Sequence, residues 1–317
     1  AGIAAVEAPA LGVVVADYNS DGWPDIYVAN DARPNLLWIN QGGGRFSDEA
    51  FFSGAAVNMA GAAEGSMGIG AGDFDNDGDP DLFMTHLTGE TNTIYVNDGR
   101  GWFEDRSIGI GLAGPSKPFT GFGTGWLDVD NEGWLELFVG NGEVSLARAA
   151  SASQGSSPLD QANQLFLNRA GLGFAAVEPL RGGVGLRAEV TRGAAFGDID
   201  NDGDTDILVT NNNGPARLLI NQVGQGANWI GLRLLDTRGR DALGARVELE
   251  LEDGWRWGRV HSDGCYSSAS DTRLLLGLGT HWRMLGLRVQ CPDGRNERFG
   301  PLPVNRYHQL RQGPGQP

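Results

Sequence analysis

The stretch DFDNDGDPD, from Asp73 to Asp81, is the part of the sequence that decides the fold. Asp alternates along it with Phe74, Asn76, Gly78 and Pro80, and the apolar run LFMT follows directly. The same nine-residue pattern occurs three more times, as DYNSDGWPD from Asp17, DVDNEGWLE from Asp128 and DIDNDGDTD from Asp198. An internal repeat of this kind predicts a fold that is built from similar units.

The sequence around each acidic loop repeats as well. A Gly precedes the loop, an apolar run follows it, and a second apolar run ends in Asn; these residues are Gly12, Gly68, Gly123 and Gly193, and Asn40, Asn97, Asn168 and Asn221. Short apolar runs bounded by Gly, Asn and Asp are typical of β-strands joined by tight turns. Each unit therefore predicts four strands, and a period of roughly 55 to 70 residues is typical of β-propeller blades. The third interval is longer because an insertion containing RAASASQGSSP lies between Asn141 and Asn163, and its composition predicts a surface loop.

The composition of the chain limits the classes of protein to which it can belong. Of its 317 residues 40% are hydrophobic, which is enough to form a sizeable core. The 40 Asp and Glu residues outnumber the 24 Lys and Arg residues, and 17 of these acids lie in the four loops. This balance disfavours nucleic acid as a partner, since phosphate contacts need a basic surface. No apolar run approaches the length of about 18 residues that predicts a membrane-spanning helix. Because the chain begins without Met, we expect that a leader or upstream segment has been removed.

Each acidic loop offers the oxygen ligands that Ca²⁺ prefers. Carboxyl or amide side chains occupy positions 1, 3, 5 and 9, position 6 is Gly, and position 7 can offer its backbone carbonyl. Ca²⁺ takes about six to eight oxygen ligands in flexible geometry, whereas Mg²⁺ prefers a rigid octahedron that retains water. We therefore expect about four structural Ca²⁺ ions, one in each loop.

The predicted ligands share these positions in the four loops. The side-chain ligands are Asp17, Asn19, Asp21 and Asp25; Asp73, Asp75, Asp77 and Asp81; Asp128, Asp130, Glu132 and Glu136; and Asp198, Asp200, Asp202 and Asp206. The backbone carbonyls are those of Trp23, Asp79, Trp134 and Asp204. The third loop is expected to bind more weakly or with shifted geometry, because Glu is one methylene longer than Asp.

Two other interpretations of the loops deserve comparison with a calcium site. An EF-hand needs a bidentate Glu at position 12, where this chain has Val28, Met84, Val139 and Val209. The loops could also be polar turns that need no metal. In that case several carboxylates within nine residues would repel one another without compensation, so we favour the metal.

The loops, with the preceding Gly and the following apolar strand, resemble the FG-GAP or VCBS repeats of integrin-like β-propellers. The stretches NWIGLRLLDTRGRDALGARVELELEDG, VHSDGCYSSASDTRLLLGLG and LRVQCPDGRNERF resemble the ASPIC/UnbV domain. Together these motifs make the chain similar to the CRTAC family, which is named for a secreted cartilage protein and is widespread in bacteria.

The resemblance implies an all-β fold in which a calcium-binding β-propeller, residues 1–227, precedes a small ASPIC/UnbV-like β-sandwich, residues 228–317. A change in composition supports this boundary, because the second region has 13 Arg and 10 acidic residues. Relatives usually carry more than the four blades visible here. The propeller is therefore unusually small, or is completed by the C-terminal region or a second copy, or lacks upstream blades.

The two cysteines, Cys265 and Cys291, both fall in the C-terminal region. A disulfide would suit an exported chain, and two buried free thiols suit the sequence equally well. Three tryptophans in or near the acidic loops, Trp23, Trp126 and Trp134, are expected to pack between blades, although an aromatic ring at a channel mouth could stack on a ligand.

His86 occupies a strand end that is Asn in the other three repeats, at Asn30, Asn141 and Asn211. Imidazole can act as an acid or base near neutral pH, so His86 is a candidate catalytic residue with Glu143 and Arg187 as partners. The alternative is drift of the repeat at an exposed loop start.

These observations support two functions. The first is a calcium-stabilised β-propeller that binds a small-molecule or protein ligand at one face. The alternative is an enzyme of bacterial natural-product metabolism, a lyase, cyclase or hydratase that uses His86. We expect no nucleic-acid partner and no membrane insertion. Assembly of the chain into a homo-oligomer is an open alternative. A location outside the cytoplasm is favoured because such loops fill readily at extracellular calcium concentrations, and a cytoplasmic location is the alternative.

Overall fold

The computed structural model describes residues 2–3, 6–147, 155, 157–177 and 187–313. Part of the predicted surface insertion, residues 148–154 and 156, lies outside the described residues. Strands dominate the described chain, and the only α-helical segments in it are the short turns α1 (Ala50–Ser53) and α2 (Ala113–Ser116). The expected all-β fold is confirmed.

Each of the four repeats forms one antiparallel sheet, which we call blades 1 to 4. Blade 1 contains β1 (Ala10–Ala16), β2 (Asp25–Asn30), β3 (Leu36–Asn40) and β4 (Phe46–Asp48). Blade 2 contains β5 (Ile69–Gly72), β6 (Asp81–Met84), β7 (Thr93–Asn97) and β8 (Phe103–Asp105). Blade 3 contains β9 (Gly121–Leu127), β10 (Glu136–Asn141), β12 (Gln164–Asn168) and β13 (Phe174–Ala176), and beside it β11 (Gln161–Ala162) pairs with β14 (Ala188–Glu189). Blade 4 contains β15 (Thr191–Gly197), β16 (Asp206–Asn211) and β17 (Arg217–Leu219).

Within each blade, strands that follow one another in the sequence are neighbours in the sheet. The acidic loop joins the first two strands every time, and the last acid of the loop is the first residue of the second strand. The prediction of four strands is confirmed for blades 1 to 3, whereas the described part of blade 4 has three. The first strands β1, β5, β9 and β15 are neighbours in that order.

The repeated Gly of the first strand marks the closest approach between blades. A Cβ on Gly12 would lie 2.7 Å from the carbonyl oxygen of Met67 in the next blade, and one on Gly123 would lie 2.7 Å from the backbone nitrogen of Ala194. Separations under 3.0 Å do not occur for real Cβ atoms. Glycine is needed here because the inner strands of adjacent blades touch through their backbones.

The tryptophans in or near the loops differ from one another. Trp126 packs between blades 2 and 3 as expected, with ring centroids 6.1 Å from Phe83 and 6.2 Å from Phe174. Trp134 is half-buried. For Trp23 the expectation is wrong, because 54% of its surface is exposed; its loop is the first of the repeats, and the described chain holds no preceding blade to cover it.

The C-terminal region is a two-sheet β domain. One sheet has the order β21 (Leu274–Gly279), β18 (Asn228–Leu235), β24 (Tyr307–Arg311), and the other has the order β20 (Gly254–Arg259), β19 (Arg246–Leu251), β22 (Gly286–Gln290), β23 (Asn296–Phe299). Side chains from both sheets, including Leu232, Leu276, Leu249 and Val289, share one apolar core. This shared core is that of the expected small β-sandwich. The boundary between residues 227 and 228 stays a prediction.

A segment of the C-terminal region, residues 261–271, lies against the first strands of all four blades, and we call it the crossing segment. The backbone N–H of Val15 donates to Oδ2 of Asp263 at 2.7 Å, and that of Cys265 donates to the carbonyl of Ile69. The rings of Tyr266 and Phe122 meet edge to face at 5.0 Å, and the N–H of Asp271 donates to the carbonyl of Phe196 at 2.9 Å. Cys265 and Cys291 are both buried free thiols, so no disulfide joins them.

Candidate metal sites of the acidic loops

The four acidic loops share one backbone conformation. Position 4 is left-handed in each loop, with φ of 57° at Ser20, 58° at Asn76, 58° at Asn131 and 61° at Asn201. The Gly at position 6 has φ of 88°, 98°, 89° and 95° in the same order. Asn tolerates the left-handed region and Gly has no steric cost there, so the sequence pattern itself folds the loop.

The first acid of each loop accepts hydrogen bonds from the backbone of the turn. In blade 1, Oδ1 of Asp17 accepts from the N–H of Asp21 at 3.1 Å and Oδ2 accepts from the N–H of Gly22 at 2.7 Å. Asp73, Asp128 and Asp198 each accept the equivalent bond from the Gly at position 6. The carboxylate is therefore fixed in place by the loop that contains it.

The last acid of each loop connects the loop to the third strand of the blade. In blade 1, Oδ2 of Asp25 accepts from the N–H of Tyr18 at 3.0 Å and Oδ1 accepts from the N–H of Asn40 at 2.8 Å. Glu136 makes the same pair of bonds in blade 3, to Val129 at 2.9 Å and to Asn168 at 3.4 Å. The longer Glu side chain is thus accommodated in the third loop with one stretched bond.

These bonds bring carboxylate oxygens together in three of the loops. One oxygen from each residue of a triad lies within 4.8 Å of the others; the triads are Asp73, Asp75 and Asp81; Asp128, Asp130 and Glu136; and Asp198, Asp200 and Asp206. They occupy predicted ligand positions 1, 3 and 9. In the first loop position 3 is Asn19, whose Nδ2 donates to Oδ2 of Asp21 at 3.1 Å. The acidic triads could hold metal ions.

Burial raises the pKa of several of these carboxyl groups, and neighbouring negative charges add to the effect. The pKa of Asp25 rises to about 6, those of Asp73 and Asp128 to about 7, and that of Glu136 to about 8, in each case mainly through desolvation. Asp81 is buried and its pKa lies well above the usual value for the same reason. A nearby cation would offset the unfavourable free energy of ionising such groups.

Unpaired oxygen atoms test whether a cation fits the loops. Among the described residues, Oδ1 of Asp75 and Oδ1 of Asp128 are buried and have no hydrogen-bond partner. A buried acceptor without a partner is costly unless a ligand satisfies it. Because the donor set consists of oxygen atoms alone, it fits a hard cation such as Ca²⁺.

Asp204 differs from what the spacing predicts for position 7. That position is expected to offer only its carbonyl, yet the Asp204 side chain is fully buried, and neither carboxylate oxygen has a partner among the described residues. Desolvation and the charge of Asp202 raise the pKa of Asp204 to about 7. The repeat pattern does not distinguish Asp204 from Asp79, which has the same position in blade 2 and is only half-buried. The burial of the Asp204 side chain therefore could not be predicted from the spacing.

Neighbouring loops are linked to each other. Nδ2 of Asn76 in blade 2 donates to the carbonyl of Gly133 in blade 3 at 3.0 Å, and Nδ2 of Asn131 in blade 3 donates to the carbonyl of Gly203 in blade 4 at 2.9 Å. After blade 4 the partner changes, since Oδ1 of Asn201 accepts from Nη1 of Arg273 at 2.6 Å. Here the C-terminal region takes the position that a following blade takes elsewhere.

The C-terminal region also contacts acidic loops of blades 2, 3 and 4 directly. Nη2 of Arg246 donates to the carbonyl of Gly78 at 2.6 Å, and the N–H of Gly279 donates to the carbonyl of Asn131 at 2.7 Å. In blade 4 the hydroxyl of Tyr307 donates to Oδ2 of Asp198 at 2.7 Å. The candidate metal sites therefore lie where the blades meet the C-terminal domain.

His86 is buried, with 2% of its surface exposed, and both of its ring nitrogens have partners. Nδ1 lies 2.8 Å from the carbonyl of Thr91 and donates to it, and Nε2 lies 3.1 Å from the hydroxyl of Ser66. Desolvation lowers the pKa of His86 to about 4. The imidazole is thus held in its neutral form in the protein interior.

The equivalent residues of the other repeats explain these contacts. Nδ2 of Asn30 donates to the carbonyl of Pro34 and Nδ2 of Asn141 to that of Ala162, as Nδ1 of His86 does to Thr91. The backbone N–H groups of these three residues also have equivalent partners. Each donates to the side-chain oxygen of the Asn that directly follows the carbonyl acceptor, which is Asn35, Asn163 or Asn92. This agreement favours repeat drift over a catalytic site.

The two proposed partners of His86 lie apart from its ring contacts. Glu143 is fully buried, and its Oε2 accepts from Thr88 at 2.7 Å and from Thr120 at 3.2 Å. Arg187 is exposed. No described hydrogen bond or ion pair joins the side chains of His86, Glu143 and Arg187, and an acid–base role for them stays a prediction.

Comparisons with known proteins agree with the repeats and the C-terminal domain. Profiles of the FG-GAP-like repeat match residues 17–84 and 73–139, and that of the FG-GAP repeat matches residues 191–230. The profile described as ASPIC and UnbV matches residues 236–317. The matched residues include all four acidic loops and most of the C-terminal domain.

Whole-chain relatives point the same way. The chain is 26% identical over 291 residues to cartilage acidic protein 1 of Mus musculus, and 28% identical over 290 residues to that of Homo sapiens. Each alignment covers 90% of this chain but only 42% and 41% of the relative, so the chain spans about two-fifths of the length of these proteins.

Among solved structures, an Agrocybe aegerita lectin, described as recognising non-reducing terminal N-acetylglucosamine, matches at 17% identity with a TM-score of 0.41, over 93% of this chain and 81% of the lectin. A Photorhabdus luminescens Tc holotoxin pore matches at 14% identity with a TM-score of 0.35, over 68% of this chain and 9% of that one. Neither score is high enough to support an argument. Within the described residues, no helix has the length and apolarity needed to cross a membrane.

The repeats, the ASPIC and UnbV domain and the relatives together place the chain in the CRTAC-like family of FG-GAP repeat proteins.

Proposed function

We propose that the protein is a calcium-stabilised β-propeller that serves as a binding module, with calcium ions joining the blades to the C-terminal domain. The observation that carries this proposal is the acidic triad, which recurs in three loops with its oxygens within 4.8 Å of one another. The buried and unpaired oxygens of Asp75 and Asp128 support the need for a cation.

Ca²⁺ suits these loops better than other common metals. The predicted ligands include neither Cys nor His, which disfavours zinc and copper. The loop supplies side chains at positions 1, 3, 5 and 9 and a carbonyl at position 7, so the protein itself fills most of a coordination shell of about six to eight oxygens. The first loop, with Asn19 in place of an acid, would hold its ion with one fewer negative charge.

A bound cation would add positive charge between carboxylates that otherwise repel one another. In the fourth loop, one predicted ligand also contacts the C-terminal domain. Oδ2 of Asp198 accepts hydrogen bonds from both the N–H of Gly203 at 2.9 Å and the hydroxyl of Tyr307 at 2.7 Å. The fourth loop and the C-terminal domain therefore share this carboxylate, so a cation that fixes its position would also fix the acceptor of Tyr307.

The test is calorimetry of the full chain in EDTA and after return of CaCl2 or MgCl2. We expect the melting temperature to fall by more than about 10 °C in EDTA, to recover with Ca²⁺ and to recover only in part with Mg²⁺. Equilibrium dialysis with radioactive calcium would give the number of ions, which we expect to be about four. A melting temperature that is the same with and without EDTA would remove the structural role of calcium.

We further propose that the protein works outside the cytoplasm as an interaction protein. The relationship to cartilage acidic protein 1 supports this assignment. The dialysis experiment also tests it, since dissociation constants of roughly 0.1 to 1 mM match extracellular calcium modules. Submicromolar constants in all four loops would remove the need for an extracellular supply.

A further inference from the structure

A cavity of about 570 Å³ lies between the blades and the C-terminal domain. The first strands of the four blades form one wall, through residues such as Val15, Gly70, Thr124 and Gly197. Strands β20 and β21 and the crossing segment form the opposite wall. Ligand pockets in proteins typically have volumes of about 300 to 1,000 Å³ and often lie between domains, so the size and place of this cavity suit a small molecule.

Most of the cavity surface is apolar. Trp126 and Phe196 line it from the blades, and Trp257 and Leu275 line it from the C-terminal domain. Leu275 lies between Leu274 and Leu276 on β21, both of which pack in the core of the C-terminal domain. Since side chains alternate along a strand, Leu275 faces away from that core, toward the blades.

The arginines in the cavity wall are already paired within the protein. Arg246 donates to the carbonyl of Gly78, Arg259 pairs with Asp263 at 3.0 Å, and Arg273 pairs with Asp271 at 2.6 Å. An anionic ligand would have to displace one of these partners. The remaining carboxylates in the wall are those at position 1 of the four acidic loops, where the proposed calcium ions would bind. The cavity therefore favours a neutral molecule over an anion.

The cavity wall also contains His261, and one of its two ring nitrogens is available to a ligand. Nδ1 of His261 lies 3.2 Å from Oδ1 of Asp263 and 3.2 Å from the carbonyl of Asp263. These acceptors hold the ring proton on Nδ1. In the neutral ring Nε2 therefore carries a lone pair, and among the residues the structure describes no hydrogen-bond partner faces Nε2. His261 lines the cavity and is only part-buried, with 38% of its side chain exposed.

We propose that this interdomain cavity binds a neutral, largely aromatic or polycyclic small molecule that carries a hydroxyl group, and that Nε2 of His261 accepts the hydroxyl proton in a hydrogen bond. The apolar walls supply the binding free energy, and His261, oriented by Asp263, selects for the hydroxyl. This inference rests on the proposed binding function, because both walls are present only while the C-terminal domain is docked on the blades.

The test uses 2-naphthol as a probe, and 2-methoxynaphthalene as the matched compound that has no hydroxyl donor. Binding to the full chain in CaCl2 is measured by equilibrium dialysis. We expect 2-naphthol to bind about five-fold more tightly than the methyl ether, the ratio expected for one hydrogen bond. His261→Phe should bring the two affinities within two-fold of each other, and the control His308→Phe, which lies outside the cavity wall, should leave the five-fold ratio unchanged.

A second variant tests the cavity itself. Leu275→Trp should fill part of the space and weaken binding of both compounds at least about ten-fold. If that variant does not fold, the His261→Phe and His308→Phe pair still decides the role of the hydroxyl. Binding that is absent in the wild-type chain, or that is unchanged in a folded Leu275→Trp variant, would overturn the proposal, and so would a His261→Phe variant that keeps the five-fold ratio.

Failure here can be told apart from failure of the proposed function. A chain that melts at the same temperature with and without EDTA but binds 2-naphthol selectively would refute structural calcium and support the cavity site. A chain that depends on calcium but does not bind the probe would refute the cavity site alone.

Discussion

The hydroxyl of Tyr307 donates a 2.7 Å hydrogen bond to Oδ2 of Asp198, which joins the last strand of the C-terminal domain to the first ligand position of the fourth acidic loop. Arg273 reinforces this contact, because its guanidinium stacks 4.6 Å over the Tyr307 ring while Nη2 donates to the carbonyl of Asp198 at 2.6 Å. The fourth loop and the C-terminal domain therefore stabilise each other.

Replacing Tyr307 by Phe tests this relationship. A hydrogen bond to a charged acceptor contributes about 1.5 to 3 kcal/mol, so Tyr307→Phe should lower the free energy of unfolding by roughly that amount in CaCl2. The control is Tyr18→Phe, since the hydroxyl of Tyr18 is buried without a partner among the described residues. Urea unfolding should show a loss for the first variant and little loss or a gain for the second. Equal losses would mean that the Asp198 contact is not specific.

Removing one negative charge from a triad should reduce the effect of calcium on the melting temperature. Asp128→Asn keeps the shape of the side chain and removes one of the negative charges that the third loop offers to a cation. We expect the variant to melt at a lower temperature than the wild type in CaCl2, and to equal or exceed the wild type in EDTA, where less repulsion remains. Calorimetry in both buffers measures the difference. A variant with the full wild-type response to EDTA would exclude Asp128 as a ligand.

Stability in the absence of metal should fall as the pH rises. The pKa values of Asp73, Asp128 and Glu136 are raised in the folded chain to about 7, 7 and 8, whereas the unfolded chain has ordinary values near 4. The folded state then binds more protons between about pH 4 and pH 8, so the stability that these groups contribute is present at low pH and lost as the pH rises through the folded pKa.

This dependence is measured as the melting temperature from pH 5 to pH 8. In EDTA it should decrease across the range, and the difference between CaCl2 and EDTA should widen, since metal binding requires the ionised carboxylates. A constant difference from pH 5 to pH 8 would contradict the assignment of buried carboxylates as ligands.

The close approach of the blades makes a further prediction. Gly123→Ala adds a Cβ that would lie 2.7 Å from the backbone nitrogen of Ala194, so blades 3 and 4 must separate, at a cost of about 1 to 3 kcal/mol. Gly114→Ala is the control, because an added Cβ there has no atom within 4 Å and α2 gains a better helix former. Urea unfolding compares the two. Similar stabilities would show that the blades do not touch at Gly123.

His86→Asn restores the residue found at the other strand ends and should leave the melting temperature within about 3 °C of the wild type. The expectation follows from the shared contacts, since Asn30 and Asn141 donate to the equivalent carbonyls. A much less stable variant would show that the imidazole makes a stabilising contact that Asn cannot make.

The repeats could be read from the sequence because their determinants are local. Gly at position 6, Asn at position 4 in three of the four loops and the alternating acids fix the loop within nine residues, and the apolar runs fix the strands beside it. The crossing segment could not be predicted, because its position depends on contacts such as that between Val15 and Asp263, which are 248 residues apart. The burial of Asp204 was missed for the same reason, since it involves Gly224 beyond the end of the loop, where an added Cβ would lie 2.8 Å from the Cβ of Asp204.

The crossing segment also has a consequence for how the chain acquires its structure during synthesis. Blades 1 to 4 are complete in the sequence by Leu219, but their inner strands gain the contacts of Asp263, Cys265 and Asp271 only after the chain has grown through residue 271. Contacts between residues so far apart form late and slowly. During synthesis we therefore expect the inner strands of the blades to stay exposed to solvent until residues 261–271 have been made and can cover them.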